Sequence, residues 1–225
     1  MLHAVHSQCH TVAVLPRDID VLVLLASHFP CVECKCLWTL SDTTQKRQCI
    51  PIDAVFNNLP KHSAANLLSF HVLTGCDTTS YFANHTNKSS WKVFKEHHRL
   101  LQNLGIVELT KETTQSVEAF VCKICDVQTD SVDAARHILF SRTGKSKALS
   151  PRSDALRFHV MRVHYQAMVW RNVNCPIPQL PAAVDMGWKR VKSGLQPILV
   201  SLNPIPTSCL EMRMPETIQD NSLQM

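Results

Sequence analysis

The chain has 225 residues, 45% hydrophobic and 18% charged, which allows one large domain or two small ones around a sizeable core and argues against a disordered or fibrous protein. Only five glycines are present, and no Walker or dinucleotide fingerprint occurs, so a Gly-rich phosphate loop is not the functional centre. A net charge of +5 with twelve neutral histidines and a pI near 8.7 suits nucleic acid but is too scattered to choose a partner.

The longest apolar run, Val21 to Ala26, is far short of the ~20 residues of a membrane span. The first fifteen residues hold no Lys or Arg and no apolar leader core. The expectation is a soluble, intracellular protein, nuclear or cytoplasmic, with no membrane partner. Its ten cysteines then stay reduced, as thiols or metal ligands.

Val12-Ala-Val-Leu15, stopped by Pro16, reads as a strand, and Asp18 caps a helix over the apolar run Val21 to Phe29. Trp38 to Leu40 and Cys49 to Ile52 read as two strands joined by the polar loop Ser41 to Arg47. Asp53 to Leu59 predicts a short helix ended by Pro60. Ser63 to Thr74 predicts a helix with Ser63 as N-cap and Gly75 at its C-terminus. Trp91, Phe94, His98 and Leu101 share one helical face, closed by Gly105.

Beyond Gly105 the stripes Val117, Phe120, Val121, Ile124 and Ala134, Ala135, Ile138, Leu139 predict two helices. Ser150-Pro151 supplies an N-cap and a first-turn proline for a long helix with the face Leu156, Val160, Val163, Ala167 and Trp170. From Cys175 onward seven of the twelve prolines predict extended segments and a loose tail.

Two carboxylates at the exit of a strand, Asp18 and Asp20, can face one cleft. A third, Asp77, delivered by a later turn, adds to an oxygen site for Mg²⁺ or Mn²⁺. The plain alternative makes Asp18 a helix cap and Asp77 an ordinary turn residue.

The run Asp18-Ile-Asp20-Val-Leu-Val-Leu, followed about fifty residues later by Leu67-Leu-Ser-Phe-His-Val-Leu-Thr-Gly-Cys-Asp77-Thr-Thr-Ser80, resembles the second half of a PIN-like, flap-endonuclease-type domain. It is most similar to an uncharacterised multi-copy animal family reading Asp-Thr-Asp-Val-Leu-Val-Leu and His-Ala-Leu-Thr-Gly-Cys-Asp-Thr. The similarity spans about His3 to Trp188. It implies that Asp18, Asp20 and Asp77 inherit a metal-ligand role in two-metal phosphodiester chemistry and converge in space.

The departures from the family are specific. Its acidic motif lies upstream of Leu-His-Ala, whereas this sequence begins Met1-Leu-His-Ala4, so the resemblance implies that the first half of the fold is missing. Where the family has a Gly-x-Gly turn for a DNA phosphate, this chain has Asn84-His-Thr86. Lys88 and Lys92 remain as phosphate contacts, or simply as a solvated helix face. The expected fold is α/β: a truncated PIN-like parallel sheet with helices over 1–105, a mainly helical family-specific region over 106–174, and a Pro-rich extended segment and tail over 175–225. The expected function is a catalytically incomplete, nuclease-related protein of mobile-element-like origin, with DNA as its partner, no small-molecule substrate and no required cofactor.

Zinc is the alternative. Cys122-Lys-Ile-Cys125 and His159-Val-Met-Arg-Val-His164 each look like half of a Cys₂His₂ finger. The 33 residues between Cys125 and His159 replace the about twelve of a finger, and packing on helices is the preferred reading. Cys31, Cys34 and Cys36, with His28 and Cys49, form the densest thiol cluster; small buried hydrophobes are the commoner fate of such residues. A nucleophilic pair of Cys76 with His71 lacks an evident third, orienting group. A vestigial protein-interaction domain with no site at all completes the alternatives.

Overall fold

The computed structural model describes residues 10–16, 18–32, 34–43, 46–83, 85–106, 108–144 and 149–202. Strand β1 (Thr11–Val14) buries Val12 between exposed Thr11 and Ala13, the alternation of a half-covered strand. Pro16 ends the run. Asp18, with extended backbone, then accepts the Val21 amide at 3.2 Å and starts helix α1 (Ile19–His28).

Helix α1 crosses over to β2 (Cys36–Thr43), which lies parallel to β1 with Val12 opposite Leu37. This is the helical crossover that parallel pairing requires. β3 (Lys46–Pro51) returns antiparallel to β2, pairing Trp38 with Pro51 at one end and Thr43 with Lys46 at the other. The fold is α/β, but the three-stranded sheet, ordered β1-β2-β3, is mixed rather than wholly parallel. Two residues separate β2 from β3, too few for a crossover, so they can only form a hairpin. The hairpin ladder also takes in most of the stretch expected as a loop, because a backbone ladder needs no apolar side chains.

Helix α2 (Ile52–Asn57) follows β3, and Ile52 joins Val12, Leu25 and Leu37 in a small core between sheet and helices. Helix α3 (Ala64–Thr74) is buried at every position from Asn66 to Thr74, so it is the central helix of the molecule. It packs on α1, on α4 (Asn87–His97) and on α7 (Ser153–Arg171). Helices α5 (Lys111–Ile124) and α6 (Val132–Thr143) complete the helical body.

One core cluster joins Leu68, Leu73 and Phe94 to Phe120, Val160 and Val163, linking residues on both sides of Gly105. Phe70 sits at its centre, 4.5 Å from the Phe94 ring and edge-on to Phe120 at 6.4 Å. The expected faces of α4, α5 and α7 are the buried ones; on α6, Ala134 is exposed while Ala135 is fully buried.

Ser63 holds the expected N-cap position of α3, but its side chain makes no capping bond and its hydroxyl donates to the Pro60 carbonyl. Ser150 does not cap α7, whose N-cap is Arg152; the buried Ser150 hydroxyl donates instead to the Val132 carbonyl. In both places a short polar side chain found a nearer carbonyl.

Within 175–202 the Pro-rich region carries regular structure that was not expected, and the expected tail over 203–225 lies outside the described residues. Beyond Cys175 the chain forms a β-hairpin, β4 (Trp188–Val191) and β5 (Gly194–Pro197), docked on α7. Gly187, at φ +80°, precedes it so closely that a Cβ there would lie 2.8 Å from the Phe158 carbonyl oxygen. No described helix is long and apolar enough to cross a membrane.

Candidate functional site

Helix α1 meets α3 where the two sequence motifs converge. Asp20, in the first turn of α1, receives the Nε2 proton of His71 on α3 at 2.6 Å, with side chains only 17% and 7% exposed. The His71 ring stacks on Trp170 of α7 at 6.0 Å and 21°. His28, at the far end of α1, donates to the Trp170 carbonyl. Asp20 and His71 thus form an oriented carboxylate–imidazole pair under an indole.

The other two aspartates do not join it. Asp18 is the α1 cap, and Asp77 is exposed in the turn after α3, with no hydrogen-bond or ion-pair partner among the described residues. Among the described residues no group of three His, Cys, Asp or Glu side chains could hold a metal ion. Among the described residues Asp18, Asp20 and Asp77 do not make up a metal-holding group. The physical reason is local: a carboxylate beside a helix start finds free amides in its own chain, and one beside a buried imidazole finds a donor.

The zinc alternative fares the same way. Cys122 and Cys125 lie on the buried side of α5 and its C-terminus, while His159 donates through Nε2 to the Leu73 carbonyl and His164 Nδ1 accepts the Gly105 amide. These four residues do not assemble. The imidazole of His85 lies 3.9 Å from the Cys125 sulfur. Burial, followed by the neighbouring Cys125, pushes the Cys122 thiol up to about 12, and burial pushes Cys125 to about 11, so both stay protonated at neutral pH and pack as small hydrophobes.

The eight described cysteines are all free thiols. Cys31 and Cys49 are exposed, and burial and then Cys36 raise the pKa of Cys34. Their expected partner His28 is engaged by Trp170 instead. Cys76 is not paired with His71 either: its sulfur lies 3.4 and 3.2 Å from the hydroxyls of Thr78 and Thr79. His71 does have an orienting carboxylate, Asp20, which sequence reasoning missed because the pair is 51 residues apart.

The polar loop before α4 acts as a cap. Thr86 and Ser89 form a reciprocal capping box, and His85 packs inward with its pKa lowered by burial. Behind it Lys88, Lys92, Lys95 and Arg99, all exposed, recur at spacings of four, three and four residues, which places them on one face of α4 and the short 3₁₀ turn after it. Of these, the sequence pattern singles out only Lys88 and Lys92.

Arg162 of α7, not evident from the sequence, is 3% exposed and bonded to the carbonyls of Gly187 and Ile198. No family model, curated protein or solved structure matches the chain.

Proposed function

We propose that this chain is a catalytically incomplete relative of metal-dependent PIN-like nucleases, retaining the packing of that kind of domain without its hydrolytic chemistry. The observation that carries this reading is the 2.6 Å bond from His71 to Asp20. A carboxylate committed to an imidazole, beside a second one capping α1, leaves Asp77 alone to offer oxygens, and two dications need several carboxylates to neutralise and position them. The test is incubation of the full chain with Mg²⁺ or Mn²⁺ and flap, duplex or single-stranded DNA. No cleavage is expected. Metal-dependent cleavage that disappears in Asp77→Ala overturns the reading.

A second observation favours nucleic-acid binding without cleavage. Four cations on one exposed face, Lys88, Lys92, Lys95 and Arg99, match the phosphate contacts of a sequence-independent DNA binder. If all four engage phosphates, the logarithm of affinity falls with the logarithm of salt at a slope of about −3.6. Lys92→Glu with Lys95→Glu should lower affinity without changing the melting temperature. A slope near zero, or unchanged binding in the double variant, removes this reading.

A further inference from the structure

Helix α7, the loop after α3 and the segment after β5 enclose a cleft of about 220 Å³. Its walls are Tyr81, Phe82, Leu156, Leu199 and Val200, and its polar members include His159 and Arg162. Three of these apolar side chains are unusually open for their size, Tyr81 at 78%, Leu199 at 60% and Val200 at 48%. Large apolar groups gathered around a concavity mark a binding surface more often than a solvated one.

At the base lies a charge without a counter-charge. Arg162 is 3% exposed, and its partners among the described residues are neutral: Nη1 donates to the carbonyls of Gly187 and Ile198. Among the described residues no carboxylate pairs with it. The nearest acidic residue on its helix, Asp154, lies two turns away, about 12 Å along the axis. That carboxylate is taken by the Ser201 and Leu202 amides, the Ser201 hydroxyl and Arg157. Buried charges are normally paired, so an unpaired guanidinium in the wall of an apolar cleft is a place for an anion.

We propose that this cleft binds a compact monocarboxylate with an apolar, preferably aromatic, body, its carboxylate on the free edge of Arg162 and its body between Phe82, Leu156 and Leu199. A carboxylate suits the planar guanidinium edge, which offers two parallel N–H donors. The size follows from the volume, which is below the about 300–1,000 Å³ of clefts for drug-sized ligands. His159 adds no competing charge: burial, partly offset by its bond to the Leu73 carbonyl, brings its pKa to about 4, so it is neutral at pH 7. Phe82 meets its ring edge-on at 5.3 Å, a T-shaped contact that an aryl ligand can extend. The site is independent of the aspartates and of the basic face of α4.

The test titrates the full chain at pH 7 with 3-phenylpropionate, 3-phenylpropan-1-ol and 3-phenylpropylamine, following backbone amide shifts by NMR. The acid should bind at least about tenfold more tightly than the alcohol, as a charge-assisted bond implies, and the amine should not bind. The shifts should centre on Phe82, Leu156 and Val200, not on α4. Arg162→Met also loosens the hairpin, so the decisive variant is Leu199→Glu, which sets a carboxylate at the exposed mouth. It should weaken the acid about tenfold with the melting temperature unchanged. Equal binding of acid and alcohol, failure of 3-phenylpropionate to bind at all, or undiminished binding in Leu199→Glu overturns the proposal.

Discussion

The sheet end and the helical body of this molecule rest on different amounts of apolar burial. At the sheet end four buried residues, Val12, Leu25, Leu37 and Ile52, hold β1–β3 to the neighbouring helices. In the body a continuous cluster runs from Val23 through Phe70, Phe94 and Phe120 to Val163. The difference teaches where stability and chemistry separate. The aspartate motifs sit at the seam, on the first turn of α1 and beyond the end of α3, and α1 packs there on both the sheet cluster and the body.

The sharpest way to test this contrast is a matched pair of truncations. Phe120→Ala, in the fully buried centre of the body, should cost about 3–5 kcal/mol and lower amide protection across all the helices. Leu37→Ala, equally buried but in the small cluster, should cost less and mainly release β1–β3. Denaturant titration with hydrogen exchange checks both. Equal, global effects would mean that the sheet and the body form one cooperative unit.

Acid should also act on the body first. Burial, opposed in part by the bond to Leu73, holds the pKa of His159 at about 4, against about 6.5 when unfolded. The unfolded chain therefore takes the proton first. Stability should fall as the pH drops from about 6.5 to about 4 and level off below, a loss of about 3 kcal/mol at 1.36 kcal/mol per unit. Melting the wild type and His159→Gln across this range should show a much steeper acid slope in the wild type, the shallower remainder coming from groups such as His85, whose pKa burial also lowers. Parallel acid limbs would mean that other groups set it.

Next in size is Gly105→Ala, at the crossing of the loop after α4 with α7. Its φ is +78°, and the added methyl would fall 2.4 Å from the Ala167 Cβ. A cost of about 1–3 kcal/mol is expected, measurable as a fall in denaturation midpoint at constant slope. A neutral variant would show that α7 shifts easily, against the picture of a rigid body.

The smallest effect belongs to the seam. Asp20→Asn keeps the shape but weakens the bond to His71, and should cost about 1 kcal/mol. The accompanying change in Trp170 fluorescence, from its stacking on His71, is the local readout. No change in emission would detach the pair from the indole.

Much of this architecture was legible in the chain. The helical stripes Val117, Phe120, Val121, Ile124 and Leu156, Val160, Val163, Ala167 name the core because a 3.6-residue period leaves one side to bury, and the structure buries all eight. Pro16, Asp18 and Pro60 set boundaries through effects within a few residues: a fixed φ, a missing amide, a carboxylate within reach of a free one. Local interactions of this kind are written in order along the sequence.

The rest was decided by tertiary structure. Asp20 and His71, 51 residues apart, meet because α1 and α3 pack together, and His159 and His164 turn to separate backbone partners on α3 and at Gly105. Arg162 reads as one cation among many until β4 and β5 fold back and bury it. Spacing can nominate a ligand. Which donor or acceptor a polar side chain meets depends on what packing brings within about 3 Å of it: a backbone group for Asp18, His159 and His164, and a buried imidazole for Asp20.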